Sequence, residues 1–303
     1  MKKAIKYSVL VCLLSWTIVA LAVFVFGMDK SANPVGYTLL ATGYMFLPLI
    51  TALILQAIDK EKFNKIGLVN FKVRWSWLIA WLLPIVLVLL CIVINGLMPG
   101  VELKYNAEQL ISQYHIPEEQ QEMVRLQFSQ MPAMVMVLST LISALLAGAT
   151  VNALAAFGEE YGWRHYLVEA LGNLKFWKAV LFIGLVWGIW HFPLILMGHN
   201  YPNEPVWGVL LMLAVCILLC SIELYFVLKT KSVVVAAIIH GTFNACSGMV
   251  IYFINGGNDF INGMTGLSGF IVMGIAILTL WLYDKFVSKE SIFSNTLNES
   301  LDR

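Results

Sequence analysis

Eight long runs of apolar residues constrain this chain more than any other feature of its sequence. Each run is close to the 20 or so residues that an α-helix needs to cross a bilayer. The runs are continuous rather than alternating, so they predict helices and not the strands of a barrel. The predicted spans are Tyr7–Gly27, Gly36–Ile58, Trp75–Asn95, Met134–Phe157, Phe176–Met197, Val206–Leu228, Val233–Ile254 and Thr265–Val287.

The composition agrees with this interpretation. Of the 303 residues, 60% are hydrophobic and 12% are charged, whereas a soluble domain is roughly 45–50% apolar and 25% charged. We therefore expect an all-α membrane protein, a bundle of about eight transmembrane helices with a polar cavity inside the membrane. The net charge of +1 gives no reason to expect a nucleic-acid partner. The five cysteines all lie in apolar runs, and we expect them to be buried and unpaired.

The distribution of Lys and Arg predicts the orientation of the chain. Basic residues are concentrated before the first span, in the second, fourth and sixth loops, and after the last span, which places both termini in the cytoplasm. The basic start followed by a long apolar run indicates an uncleaved first helix rather than a signal peptide. We divide the chain into three helices with an outer loop (1–130), a catalytic helical core (131–290) and a cytoplasmic tail (291–303).

The third loop, Gly96–Pro132, is long and acidic. Met123, Leu126 and Phe128 near its end predict a short amphipathic helix at the outer surface. A solvated loop with no special role is the alternative.

Six polar residues interrupt the apolar segments of the second half of the chain. Ionisable residues are expensive in a bilayer core, so they are candidates for a functional site. The candidate catalytic residues are Glu159, Glu160, Arg164, His191, His240 and Asn244.

Helical spacing assigns different roles to the two adjacent carboxylates. Glu160 and Arg164 are four residues apart and can form an ion pair on one helix face. Glu159 points about 100° away and is left free to act on water. If the fourth helix continues to about Leu171, Glu159 lies in the same layer of the membrane as His191 and His240. Ordinary charges at the end of a helix are the alternative.

The two histidines are less specific when each is taken alone. His191 is surrounded by aromatic residues and precedes Pro193, which should kink the helix there. His240 and Asn244 share a helix face. Packing and hydrogen bonding between helices would explain each residue equally well. His165 and His199 fall near predicted loops, where we expect surface residues.

Together these residues resemble a known family. The pattern Glu159-Glu160-x-x-x-Arg164, the aromatic residue Trp187 four positions before His191, and His240-x-x-x-Asn244 are similar to the three motifs of the CAAX-protease and bacteriocin-processing (Rce1-like, Abi) intramembrane peptidases. Trp187 stands where the family usually has Phe. The resemblance implies an eight-helix fold in which the first Glu and the second-motif His activate water. It implies that the third-motif His and Asn stabilise the oxyanion or bind metal.

The leading hypothesis is an intramembrane endopeptidase that acts on a membrane-associated protein or peptide in the lipid bilayer. In it, Glu159 is the general base, and His191, His240 and Glu159 are the candidate ligands of a Zn²⁺ ion. Asn244 would stabilise the oxyanion. The alternative is a non-catalytic bacteriocin-immunity or scaffold protein with the same fold. A transporter is disfavoured because no inverted repeat is visible.

Overall fold

The computed structural model describes residues 1–30, 32–60 and 75–302. It is almost entirely helical, as the apolar runs predict. The basic residues predicted for the second loop at Lys62, Lys65, Lys72 and Arg74 lie outside the described residues. The helices of the first half are α1 (Lys2–Phe24), α2 (Pro34–Tyr44), α3 (Leu47–Asp59), α4 (Trp75–Asn95), α5 (Glu108–Gln113), α6 (Glu118–Gln130) and α7 (Ala133–Gly148).

The second half carries the helices of the predicted core. They are α8 (Val151–Glu160), a π-helical turn (Tyr161–Tyr166), α9 (Leu167–Ala170), α10 (Phe176–Trp190), α11 (Phe192–Leu196), α12 (Pro205–Thr230), α13 (Val233–Cys246), a 3₁₀ segment (Ser247–Phe253), α14 (Leu267–Tyr283), a second π turn (Asp284–Ser288) and α15 (Leu297–Leu301). Two short strands, β1 (Val101–Leu103) and β2 (Ile254–Gly256), pair antiparallel.

The chain is a multi-pass all-α membrane protein. Among the described residues, six helical segments are long and apolar enough to cross a membrane, and a seventh counts if the sharply bent pair α6–α7 is one span. Three of the eight predicted spans are interrupted instead. The second divides into α2 and α3 at Met45 and Phe46, although Pro34–Asp59 still counts as one crossing segment. The fourth divides into α7 and α8, and the fifth divides into α10 and α11 at His191.

The break at His191 has the cause that the sequence predicts. Pro193 has no N–H to donate and cannot continue a regular helix without losing a hydrogen bond. The hydroxyl of Tyr44 donates to the carbonyl of Trp190 at 2.6 Å. The indole N–H of Trp16 donates to the same carbonyl at 3.3 Å. Neighbouring side chains therefore satisfy the backbone at the kink, as a break inside a membrane requires.

The helix that carries the Glu pair continues well past it. α8, the π turn and α9 follow one another without a break in helical dihedrals, so the helix reaches Ala170. The predicted extension to about Leu171 is confirmed. Single π turns inside α-helices are frequent at functional sites, and this one carries Arg164.

The helix ends define two opposite faces of the bundle. The basic end contains the start of α1, the end of α3, the start of α10 and the end of α12, where Lys6 pairs with Asp59 at 3.1 Å and Lys229 with Glu290 at 2.7 Å. The acidic end contains β1, β2, α6 and the loops that precede α2, α12 and α14. Each long helix thus runs from one end to the other.

The amphipathic helix that was predicted in the third loop is present at the acidic end as α6. It buries none of its residues, and Met123 and Leu126 are exposed. The ring of Phe128 packs against Tyr105, with centroids 5.2 Å apart. All five cysteines are free, as predicted, and all but the half-buried Cys12 are buried.

Candidate active site

A cavity of about 360 Å³ lies inside the bundle, within the size range of small-molecule and peptide sites. It is bounded by α2, α8, α10, α12 and α13. Five of the predicted site and motif residues line it: Glu159, Trp187, His191, His240 and Asn244. Glu159, His191 and His240 are each less than 10% exposed. The structure therefore brings three separate motifs to one cavity, as predicted from the common depth of Glu159, His191 and His240 in the membrane.

The carboxylate of Glu159 is held by the residue that departs from the family pattern. The indole Nε1 of Trp187 donates to Oε2 of Glu159 at 2.7 Å. A Phe at this position has no N–H and could not make this bond. Glu159 therefore has one oxygen fixed by a donor, while the residue itself lines the cavity. Trp187 was expected to be an aromatic wall, and its polar edge was not anticipated.

His191 is oriented by the backbone of its own helix. Its Nδ1 lies 2.8 Å from the carbonyl oxygen of Trp187. Because a carbonyl only accepts, Nδ1 carries the proton and Nε2 keeps its lone pair. That arrangement suits a histidine that accepts a proton from water or binds a metal through Nε2.

A buried network of charges lies beside the cavity on the side of the basic end. Arg164 forms ion pairs with Glu160, with Nε 3.2 Å from Oε2, and with Glu223 through Nη2. Glu160 also lies 2.8 Å from Nδ1 of His240 through Oε1. The predicted Glu160–Arg164 pair is confirmed, and both residues are fully buried. Glu160 orients the imidazole of His240 through Nδ1, which leaves Nε2 for the cavity.

The guanidinium of Arg164 also packs on the face of the Trp187 indole. The Cζ atom lies 4.2 Å from the ring centroid, within the range of a cation–π contact. Trp187 thus contacts Arg164 through its face and Glu159 through its edge.

Glu223 is the site residue that sequence reasoning missed. It lies in α12 and is fully buried. A single carboxylate inside a span of apolar residues is itself a signal, because such residues are functional candidates by default. Its partner Arg164 is 59 positions away, so no local spacing revealed the pair.

Asn244 lines the outer part of the cavity and is exposed to it rather than buried. Two histidines that were expected at the surface lie elsewhere. His165 is only 1% exposed, because the extended helix carries it into the bundle. His199 lines the cavity mouth, where its Nδ1 lies 2.9 Å from the hydroxyl of Tyr37. His199 is partly exposed at the mouth, but desolvation of its imidazole, together with the nearby charge of Lys30, lowers the pKa of His199 to about 4.

The donor atoms that could hold a metal ion differ from the predicted set. In the described part of the chain, the group whose ligand atoms lie within 4.8 Å of one another is Glu160, Glu223 and His240, rather than Glu159, His191 and His240. Carboxylate and imidazole donors suit a divalent ion such as Zn²⁺. Oε1 of Glu223 has no hydrogen-bond partner, which leaves acceptor capacity, whereas Oε2 of Glu160 lies 3.2 Å from Nε of Arg164. The cluster could therefore hold a metal, although Arg164 already supplies one positive charge.

Comparison with known proteins agrees with the motifs. Residues 141–246 match a family described as "Type II CAAX prenyl endopeptidase Rce1-like". CAAX prenyl protease 2 of Methanococcus maripaludis is 33% identical over 97 residues, which cover 30% of this chain and 36% of that protein. The match thus spans about a third of the length of this curated relative. The matched segment includes every predicted site residue and Glu223, and the resemblance found in the sequence is confirmed over this segment.

Proposed function

We propose that this chain is an intramembrane endopeptidase, because residues 141–246 match the family described as "Type II CAAX prenyl endopeptidase Rce1-like". It hydrolyses peptide bonds of membrane-associated proteins or peptides. The observation that carries the proposal is the meeting of Glu159, His191 and His240 on one buried cavity. A carboxylate and two imidazoles in a site shielded from lipid are the groups that water activation requires.

Glu159 is the general base in this proposal. Water in the cavity gives its proton to the free oxygen of Glu159, with Nε2 of His191 as a second acceptor that orients the water. The water oxygen then attacks the scissile carbonyl carbon, and the carbonyl π electrons move to oxygen. Glu159 returns the proton to the amide nitrogen as the C–N bond breaks.

Asn244 and His240 act on the oxyanion of the tetrahedral intermediate. The side-chain amide of Asn244 can donate a hydrogen bond. His240 acts in its doubly protonated form, in which Nδ1–H donates to Glu160 and Nε2–H can donate to the oxyanion. Loss of one oxyanion donor lowers kcat by about 10²–10³. Glu160, Arg164 and Glu223 do not meet the substrate; they hold the imidazole of His240 and balance its charge.

We propose Zn²⁺ as the metal that the cluster of Glu160, Glu223 and His240 would hold. When bound, such an ion supplies electrostatic stabilisation to charge that develops nearby. Metal analysis of purified protein tests the ligand set directly. We expect Glu223→Gln to lower the zinc content. If His191→Ala lowers the zinc content and Glu223→Gln does not, the ligand set predicted from the sequence is favoured instead.

Cleavage by the purified, reconstituted protein tests the proposed function. The substrate is a library of membrane-anchored peptides, and new termini are identified by mass spectrometry. Glu159→Gln and His191→Ala should each abolish cleavage, while Glu102→Gln, an exposed carboxylate at the acidic end, should leave it intact. Cleavage that survives in Glu159→Gln would refute the proposed base. Absence of cleavage by the native protein, with its fold intact, would favour a non-catalytic scaffold.

A further inference from the structure

We infer that the cavity opens toward the extracytoplasmic side of the membrane and admits an extended polypeptide segment exposed on that side. The inference rests on the proposed function for the cleavage of that segment. The side of access itself follows from the direction of the cavity and from the distribution of charge.

The cavity opens toward the acidic end of the bundle. Its outer lining comes from Thr38, one turn inside the start of α2, from His199 and Asn200 in the loop before α12, and from Thr265 just before α14. Thr38 and Asn200 are exposed, and His199 and Thr265 are partly exposed. The deep lining is buried at Glu159, Trp187 and His240. Exposure therefore rises from the catalytic residues toward the acidic end.

The route from the catalytic residues to the basic end is filled. The charged network of Glu160, Arg164 and Glu223 lies on that side, and each residue is fully buried. Farther along the same helices, Tyr166 and Tyr225 are about 1% exposed. A peptide could enter from the basic end only by displacing ion pairs and packed aromatic rings.

The charge distribution places the basic end in the cytoplasm. Lys and Arg accumulate in cytoplasmic loops of membrane proteins. Among the described residues, the basic end carries Lys2, Lys3, Lys6, Lys60, Lys175, Lys178, Lys229, Lys231, Lys285 and Lys289, whereas the acidic end carries Lys30, Lys104 and Arg125. The acidic end therefore faces outward, and so does the mouth of the cavity.

The length of the cavity sets the form of the substrate. Its lining along α2 extends from Tyr37 to Met45, the residue that caps this helix; these eight residue steps rise about 12 Å along the helix axis. An extended chain advances about 3.3 Å per residue, so about four residues bridge the mouth and the catalytic layer. The proposed substrate is therefore an unfolded segment beside the outer surface, with at least four residues free to enter.

Cysteine labelling in intact cells tests the side of access without any need for cleavage. Thr38→Cys and Thr265→Cys are made separately in the full chain, with the half-buried Cys12 replaced by Ala. Glu102→Cys marks the acidic end and Lys178→Cys marks the basic end, since both positions are exposed. A membrane-impermeant maleimide is added to intact cells or to inverted vesicles.

We expect both mouth variants to label in intact cells together with Glu102→Cys, and Lys178→Cys to label only in inverted vesicles. Labelling of Thr38→Cys and Thr265→Cys only in inverted vesicles would overturn the inference. This holds whether they label together with Glu102→Cys or with Lys178→Cys. The outcome is independent of the cleavage assay, so a failure of the proposed function leaves this test readable.

A second measurement links access to catalysis. If the native protein cleaves, the same reagent added outside cells should stop cleavage by Thr38→Cys and spare the Glu102→Cys control. Cleavage by fully labelled Thr38→Cys at an unchanged rate would contradict entry through this mouth.

Discussion

The buried network around Arg164 predicts that Glu223→Gln destabilises the native chain but stabilises a chain that lacks Arg164. In the native chain Arg164 pairs with Glu160 and Glu223, and all three side chains are fully buried. Glu223→Gln keeps the shape but removes an ionic hydrogen bond, which costs about 1.5–3 kcal/mol. Arg164→Met leaves two carboxylates without their cation and costs about 3–5 kcal/mol. In that second background Glu223 is an unpaired buried charge, so Glu223→Gln should stabilise by about 1–3 kcal/mol.

Thermal unfolding in detergent at a fixed scan rate measures these differences, with tryptophan fluorescence as the signal. At about 2 °C per kcal/mol for a chain of this size, Glu223→Gln lowers Tm by about 3–6 °C in the native background and raises it by about 2–6 °C in Arg164→Met. The exposed pair Arg125–Glu108 is the matched control. Glu108→Gln should change Tm little, both in the native chain and in Arg164→Met. An equal decrease from Glu223→Gln with and without Arg164 would refute the assignment of a coupled ionic network.

Three further outcomes follow from single contacts. Trp187→Phe keeps the ring but loses the donor to Glu159, so kcat for the proposed cleavage should fall about tenfold with KM unchanged; an unchanged kcat would contradict a positioning role. Because burial holds the pKa of His199 near 4, below its unfolded value of about 6.5, its contribution to stability is complete above pH 6.5 and is lost as pH falls toward 4. The decrease in Tm over that range should be smaller in His199→Gln, and an identical pH profile would exclude this residue. Gly162→Ala places a methyl group against the hydroxyl of Tyr7 and should cost about 1–3 kcal/mol, seen as a lower Tm. An unchanged Tm would contradict a tight contact at this position.

Features that depend on neighbouring positions in the chain were predictable from the sequence. The apolar runs gave the all-α membrane fold, since a span is defined by length and composition. The Glu160–Arg164 pair and the kink beside Pro193 follow from helical spacing and from the missing N–H of proline. The continuation of the fourth helix follows from the helix-forming and apolar residues of Tyr161–Leu171, and it places Glu159 at the depth of His191.

Features that depend on packing between helices were not predictable in this way. The division of the fourth span between α7 and α8 occurs at Ala149 and Thr150, where the sequence shows neither proline nor glycine at the break itself. Close approach decides the geometry there: a Cβ on Gly241 would lie 2.7 Å from the backbone nitrogen of Ala153. Such contacts become visible only when α13 is packed against α8.

The candidate metal ligands also depend on packing between helices, and they differ from the set that the sequence predicts. Counting depth placed Glu159, His191 and His240 in one layer, but a layer does not determine which atoms converge. Glu160 turns toward His240, and α12 brings Glu223 to the same point, so the compact donor group forms beside the cavity rather than across it. Trp187 connects the two, since its face covers Arg164 and its N–H holds Glu159. A change in the charge of the network should therefore reach the proposed base through one indole ring, a connection that a Phe at this position could not make because it has no N–H.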